Sequence, residues 1–344
     1  MSWRLDPADC PLVFASEYLQ AFPHKGRTVH ARQAGLVFYG LKDCLCLGGH
    51  SQVIVPDHDG RIPAVFRESC PYLGNEPNLV SEASRGLACG EVVELDEAVP
   101  LYPPGAANFW HWTTESLPKL LALESVGYDG PYIIPAHSAV AKASLAMHGI
   151  TSDRILMSGP MYRVKRLMLP QRLSGFSLVD NMPLTALVRD KLLEAAGVLP
   201  GGKRCYIRRI GIRKVANEPE LLDLLRDFDF EIMTPEDLSL IEQWRFMTNC
   251  DCSVMAHGAN STLSLLQREH SGFVELYNNR YVSYNNLHSV RLLRLHYHSV
   301  VEDLDLSSCP DDVTTVYEYL KHGPKADMTV DVAHVRILLE GLLG

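Results

Sequence analysis

Between Asp251 and Asn260 the chain reads Asp-Cys-Ser-Val-Met-Ala-His-Gly-Ala-Asn. Cys252 to Ala256 is a short apolar run of the kind that forms a strand buried on both faces. His257-Gly258-Ala259 breaks it. Asn260-Ser261-Thr262 then offers side-chain oxygens suited to cap a helix before Leu263, Leu265 and Leu266. A strand that turns over small residues straight into a helix aims backbone N–H groups and the positive helix end at one point, which suits a phosphate or another anion. The competing account is an ordinary strand-to-helix turn with a glycine for room.

The surrounding pattern decides what kind of sheet would hold such a strand. Strands are predicted at 164–169, 204–207, 231–233, 251–256 and 272–277. Helices are predicted at 182–196, 219–225, 238–247, after Asn260, and at 330–343. Short strands and helices in alternation argue for a parallel α/β layer with its binding crevice at the strand C-termini. Upstream, short apolar runs at 35–39, 44–47 and 52–55, broken by Gly40, Gly48-Gly49 and Pro56, read as antiparallel strands, with a hairpin turn at Asp57–Gly60. Residues 16–22 suit one or two helical turns. With 344 residues, two domains of roughly 150 residues each are expected. The polar stretch 174–181 separates an N-terminal domain, 1–178, from a Rossmann-like domain, 179–325. A C-terminal helix within 326–344 is expected to pack back on the first domain.

Three constellations carry chemistry. Arg208, Arg209 and Arg213 follow a strand end, where fork-shaped cations suit a diphosphate; a solvated basic loop is the alternative. His257 stands at the helix mouth, either as a donor to an anion or as a buried structural histidine, and Glu275 ends the next strand, where an acid can take ribose hydroxyls. In Asn108-Phe-Trp-His-Trp, His111 and Glu115 are four residues apart and share one helical face, so the carboxylate can orient the imidazole as a general base. Trp110 and Trp112 offer flat faces for a sugar ring, against the alternative of an aromatic core plug.

A net charge of −9 makes nucleic acid an unlikely partner. The nine cysteines follow no zinc spacing and fit reduced, mostly buried thiols in a cytoplasmic protein. Gly-x-Gly-x-x-Gly, P-loop and Gly-x-Ser-x-Gly patterns are missing. Asp57/Asp59, Asp227/Asp229 and Asp303/Asp305 read as solvated carboxylates rather than as a metal site. Met1–Pro7 has no apolar signal core and no apolar run is long enough to span a bilayer, so a soluble protein is expected, with loose attachment to a membrane surface left open.

Taken together, the segments resemble glycosyltransferase family 61. They are Asn108-Phe-Trp-His-Trp with Glu115 and Leu117-Pro118; Tyr206-Ile-Arg-Arg with Arg213 and Asn217-Glu218; Pro235-Glu236, Leu238 and Glu242-Gln243; His257-Gly258-Ala259; and Val274-Glu275-Leu276. The resemblance implies a GT-B fold of two Rossmann-like domains facing a cleft. It also implies metal-independent, inverting transfer from a nucleotide sugar, UDP-linked, with no cofactor. Carried over, it makes His111 and Glu115 catalytic. Arg208, Arg209, Arg213, Asn217, Glu218, His257, Gly258, Ala259, Asn260 and Glu275 would bind the donor, and Asn108, Trp110 and Trp112 the acceptor. The family commonly shows a serine before its first arginine, which is missing here, so both Arg208 and Arg209 stand as candidates. Eukaryotic relatives usually carry an N-terminal anchor; the chain as read fits a bacterial-type cytoplasmic enzyme of surface or capsular polysaccharide synthesis acting on a glycan. Other classes in play are a polysaccharide pyruvyl transferase and a non-catalytic carbohydrate-binding module.

Overall fold

The computed structural model describes residues 12–14, 37–47, 53–55, 64–65, 76–102, 105–125, 127–170, 182–283, 285–303 and 325–344. The expected helical turns at 16–22, the Asp57–Gly60 turn, the linker at 174–181 and Asp305 lie outside the described residues. The chain divides into two compact units, Met1–Val188 and Arg189–Gly344. Among the described residues no helix is long and apolar enough to cross a membrane.

The first unit is built on one mixed sheet of eight strands. β1 (Leu12–Phe14), β2 (Val37–Cys46), β3 (Val53–Val55) and β4 (Ala64–Val65) are antiparallel to their neighbours, as expected for β2 and β3, while the sequence pattern predicts no strand at β1 or β4. They continue into β8 (Met161–Pro170), which pairs antiparallel with β2 and parallel with β5 (Val92–Pro100). β6 (Tyr132–Ile134) and β7 (Ile155–Met157) extend the parallel half. The break expected at Gly40 does not occur; β2 runs through it in unbroken register with β8, from Phe38 opposite Pro170 to Cys46 opposite Tyr162. The ladder to a long partner holds a glycine that propensity alone would release. Phe38, Leu41, Cys44 and Cys46 point inward with Val164, Leu167 and Ile133. Between β4 and β5 runs α1 (Glu76–Cys89). Between β5 and β6 lies a helical segment, α2 (Phe109–Ser125), whose middle, Trp112–Ser116, is a π-helical turn. α3 (Ala139–Met147) is capped by Ser138, whose hydroxyl accepts from the Ala141 N–H.

α4 (Met182–Ala196), bounded as the sequence pattern predicts, runs through the point of division. The second unit is a five-stranded sheet of order β10-β9-β11-β12-β13, parallel throughout. Its strands are β9 (Lys203–Ile207), β10 (Phe230–Met233), β11 (Cys250–Ala256), β12 (Gly272–Tyr277) and β13 (His296–Val301). β9 leads through α5 (Glu218–Asp227) to the edge strand β10; α6 (Leu240–Thr248) then returns past β9 to β11. Because crossovers are right-handed, this reversal puts α5 and α6 on opposite faces and opens a crevice between the C-terminal ends of β9 and β11. α6 starts on a capping box, with Ser239 Oγ accepting from Glu242 N and Glu242 Oε2 accepting from Ser239 N.

The segment after β11 differs from the α-helix expected there. Ala259–Leu266 is a 3-10 helix. Ser261 and Thr262 donate their hydroxyls to the carbonyls of Gly258 and Ala259, three residues back. Such local bonds compete with α-helical pairing and favour the tighter turn. α7 (Leu287–Leu293) precedes β13. α8 (Val332–Leu343) buries Val335 and Leu339 in the second unit's own core, with Leu221 and Leu225 of α5, Val254, Val274 and Val300. A bridge between Val215 and Met328 leads into it.

Candidate functional site

The β9–β11 crevice is lined by what leaves those strands: Arg208 and Arg209 after Ile207, and His257 and Gly258 after Ala256. The arginines are not equivalent. Arg208 donates through Nε to both Glu218 oxygens, at 3.1 and 2.9 Å, and through Nη2 to Oε2 at 2.6 Å. The Tyr206 hydroxyl donates to the same carboxylate at 3.1 Å. Glu218 thus neutralises Arg208, and its hydrogen bonds and charge hold the guanidinium above its ordinary pKa. As geometry, this pair is a brace between the strand end and α5, with both carboxylate oxygens of Glu218 engaged. Asn217, expected among the donor-binding residues, is a brace too: its side chain donates to Val330 O and accepts from Val330 N, each at 2.9 Å. Both ends of its amide are used to hold the approach to α8.

Arg209 and Arg213 are different. Neither forms an ion pair among the described residues. Arg209 Nε donates to the Ile212 carbonyl at 2.7 Å, and its guanidinium lies against Gly258, where an added Cβ would run into it. Gly258 has an extended backbone, φ 162°, which any residue can adopt, so glycine is needed here for room alone. Burial pulls the Arg209 pKa down to about 10, and repulsion from Arg213 adds to it. Arg213, also lowered by burial, sits at φ 60°, a left-handed conformation that costs a non-glycine residue about 1–3 kcal/mol. Both remain charged at neutral pH. Arg209 and Arg213 are two half-buried cations that repel each other, with no carboxylate bonded to either among the described residues, an arrangement whose charge suits an anion.

The backbone of that turn supplies less than expected. The His257 N–H donates to Leu276 O at 2.8 Å, and the Gly258 N–H to Ser261 Oγ at 3.0 Å. Ala259 and Asn260, both half-buried, open the 3-10 helix, where the first N–H groups have no acceptor within it. His257 itself is buried, its Nδ1 2.7 Å from Glu275 Oε1 and its ring stacked on Tyr277, centroids 4.6 Å apart. Glu275 is 1 % exposed. It also accepts from Asn286 Nδ2 (2.8 Å), Tyr277 Oη (2.7 Å) and Tyr297 Oη (3.1 Å). Burial raises this carboxyl's pKa, but the bonds and attraction of His257, with those of Tyr277 and Ser261, outweigh it and leave the pKa lowered. The ribose role expected of Glu275 therefore has no geometric support: its oxygens are occupied and enclosed. It fixes His257 instead, a role to which Tyr277, Tyr297 and Asn286 contribute and which the sequence did not mark.

In the first unit, Asn108 caps α2, its Oδ1 accepting from Trp110 N at 2.8 Å. His111 Nδ1 lies 3.0 Å from Glu115 Oε2; the carboxylate side chain is 5 % exposed and the imidazole 37 %. With Nδ1 engaged, Nε2 is the free nitrogen. It lies beside Gly105, φ 84°, where a Cβ would come within 2.9 Å of it. Trp110 packs edge-on to His111, centroids 4.8 Å apart. Trp112 is 1 % exposed and donates Nε1 to Ser144 Oγ at 2.6 Å. Trp112 is a core plug, and the sugar-stacking role expected of it is corrected accordingly. Among the described residues, no group of three or more His, Cys, Asp or Glu side chains is arranged to hold a metal ion.

A parallel α/β unit whose topological switch point holds two arginines with no ion pair among the described residues, and an imidazole–carboxylate pair on a separate unit, define the class: a mixed α/β protein. Residues 109–274 match the family model described as Glycosyltransferase 61. The chain thus carries a glycosyltransferase family 61 domain and is a glycosyltransferase, with sugar donor and acceptor as its substrates. The matched span includes the His111–Glu115 pair, Arg209, Arg213 and the Gly258 turn. No curated protein matches the chain at significant similarity.

Proposed function

We propose that the protein is an inverting, metal-independent glycosyltransferase of GT-B type, moving a sugar from a nucleotide sugar, UDP-linked by family resemblance, to a hydroxyl of a glycan. In this reading it serves surface-polysaccharide synthesis in the cytoplasm, with the second unit binding the donor and the first the acceptor. The observation that carries it is the pair of arginines, 209 and 213, which form no ion pair among the described residues beside the turn after β11. A diphosphate supplies the charge they lack. Glu115 holds His111 through Nδ1, so Nε2 accepts the acceptor hydroxyl's proton as that oxygen attacks the anomeric carbon. The bond from that carbon to the diphosphate oxygen breaks on the opposite face, the configuration inverts, and the electron pair leaves with the diphosphate. Arg209, Arg213 and the Ala259 and Asn260 amides stabilise the departing charge.

A thermal-shift screen with UDP, GDP, CDP and phosphoenolpyruvate tests the donor class; stabilisation by phosphoenolpyruvate alone would overturn it. His111→Ala is expected to lower turnover about 10²–10⁴-fold with nucleotide affinity nearly unchanged. Arg213→Ala is expected to weaken nucleotide binding by about tenfold or more, as loss of charge-assisted bonds should. An equal loss of nucleotide affinity in His111→Ala would remove the acid/base assignment.

A further inference from the structure

Arg208 and Arg213 show two ways of holding a guanidinium. Glu218 fixes Arg208 and cancels its charge. Arg213 has no carboxylate among the described residues, its Nε is buried without a partner, and its guanidinium lies over the Tyr281 ring, 5.3 Å from the centroid. The same ring touches His257, centroids 5.6 Å apart at 52°. An aromatic face orients a guanidinium through its quadrupole while leaving the positive charge available to a ligand. The loop that carries Tyr281 is clamped on both sides. Asn278, 1 % exposed, accepts from Arg280 N at 3.0 Å and donates to Ala326 O at 3.0 Å, and Tyr277 Oη, which shares its one proton between Glu275 and this loop, lies 2.8 Å from Ser283 O.

We propose that Tyr281 is a positioning residue of the diphosphate site, its ring holding Arg213 and His257 about one anion without neutralising either. This rests on the nucleotide-donor reading above. The test is calorimetry on the full chain with whichever of UDP, GDP or CDP the wild type binds, and with the corresponding nucleoside. Tyr281→Phe keeps the ring and should stay within about twofold for the diphosphate; Tyr281→Leu should lose about tenfold, with nucleoside affinity unchanged. In an Arg213→Ala background, Tyr281→Leu should cost less than about twofold, because the residue it positions is gone. Should Tyr281→Leu fail to fold, Tyr281→Met carries the same expectation.

Equal loss for nucleoside and diphosphate, or additive losses in the double variant, would show a merely structural ring and overturn the proposal. If Arg213→Ala loses affinity and Tyr281→Leu does not, the proposal falls while the donor reading stands. If the wild type binds no nucleotide, both fall.

Discussion

At the scale of single residues, burial decides which ionisable groups face a ligand and which hold the fold. His288 is fully buried; its Nδ1 lies 2.9 Å from the Asn285 carbonyl, and burial drives its pKa from 6.5 to about 4. The folded state therefore keeps this imidazole neutral over a range in which the unfolded chain protonates it. Between about pH 6.5 and 4 the unfolded state binds more protons, so stability falls as pH falls through that window and levels off below it. The full effect is on the order of 3 kcal/mol. Denaturant titrations at several pH values should show this slope in the wild type and a shallower one in His288→Gln. Glu275 acts in a different range: its lowered pKa keeps its contribution intact above the ordinary carboxylate value, to be lost only as pH falls through the folded value.

At the scale of elements, α2 shows how a site residue and a structural one differ in what they tolerate. Asn108 is exposed and its oxygen caps the helix that carries His111. Asn108→Ala should cost about 0.5–2 kcal/mol, and Asn108→Ser or Asn108→Asp should restore most of it, read as thermal midpoints. If the capping variants fold normally yet lose transfer activity, the acceptor role inferred from resemblance is the better account. Elements with strong periodicity were legible before the fold was known: α4 and β12 have the bounds their apolar patterns predict. β13 was not, because it is an edge strand whose only buried side chain is Val300, so no alternation marks it. The 3-10 character of 259–266 depends on hydroxyl bonds to carbonyls three residues back, which apolar spacing does not encode. Among site residues, the sequence marked the His111–Glu115 pair, the arginine loop, and His257 and Glu275 singly, without the contact between them. It did not reveal which arginine carries a partner, nor that Trp112, Asn217 and Glu275 are spent on packing and bracing. Those outcomes depend on contacts such as Val330 with Asn217, distant along the chain.

For the molecule as a whole, the second unit depends on the last helix of the chain. Leu339 is fully enclosed in the core shared by α5 and the sheet, while Ile337, two residues before it, is 66 % exposed. Leu339→Ala should therefore destabilise by about 2–5 kcal/mol, and Ile337→Ala should stay within about 0.5 kcal/mol. A matched loss at both positions in denaturant titrations would contradict the placement of α8. Val215 and Met328 bridge the route into that helix, and Asn217 secures it, so the arginine loop and the C-terminus share one frame. The contact of Arg209 with Gly258 has an implication for descent. With the guanidinium filling the space a β-carbon would need, positions 209 and 258 form one heritable unit: glycine can be replaced only in lineages that have first shortened or lost the arginine. A sequence that carries both a side chain at 258 and an arginine at 209 must place its guanidinium elsewhere.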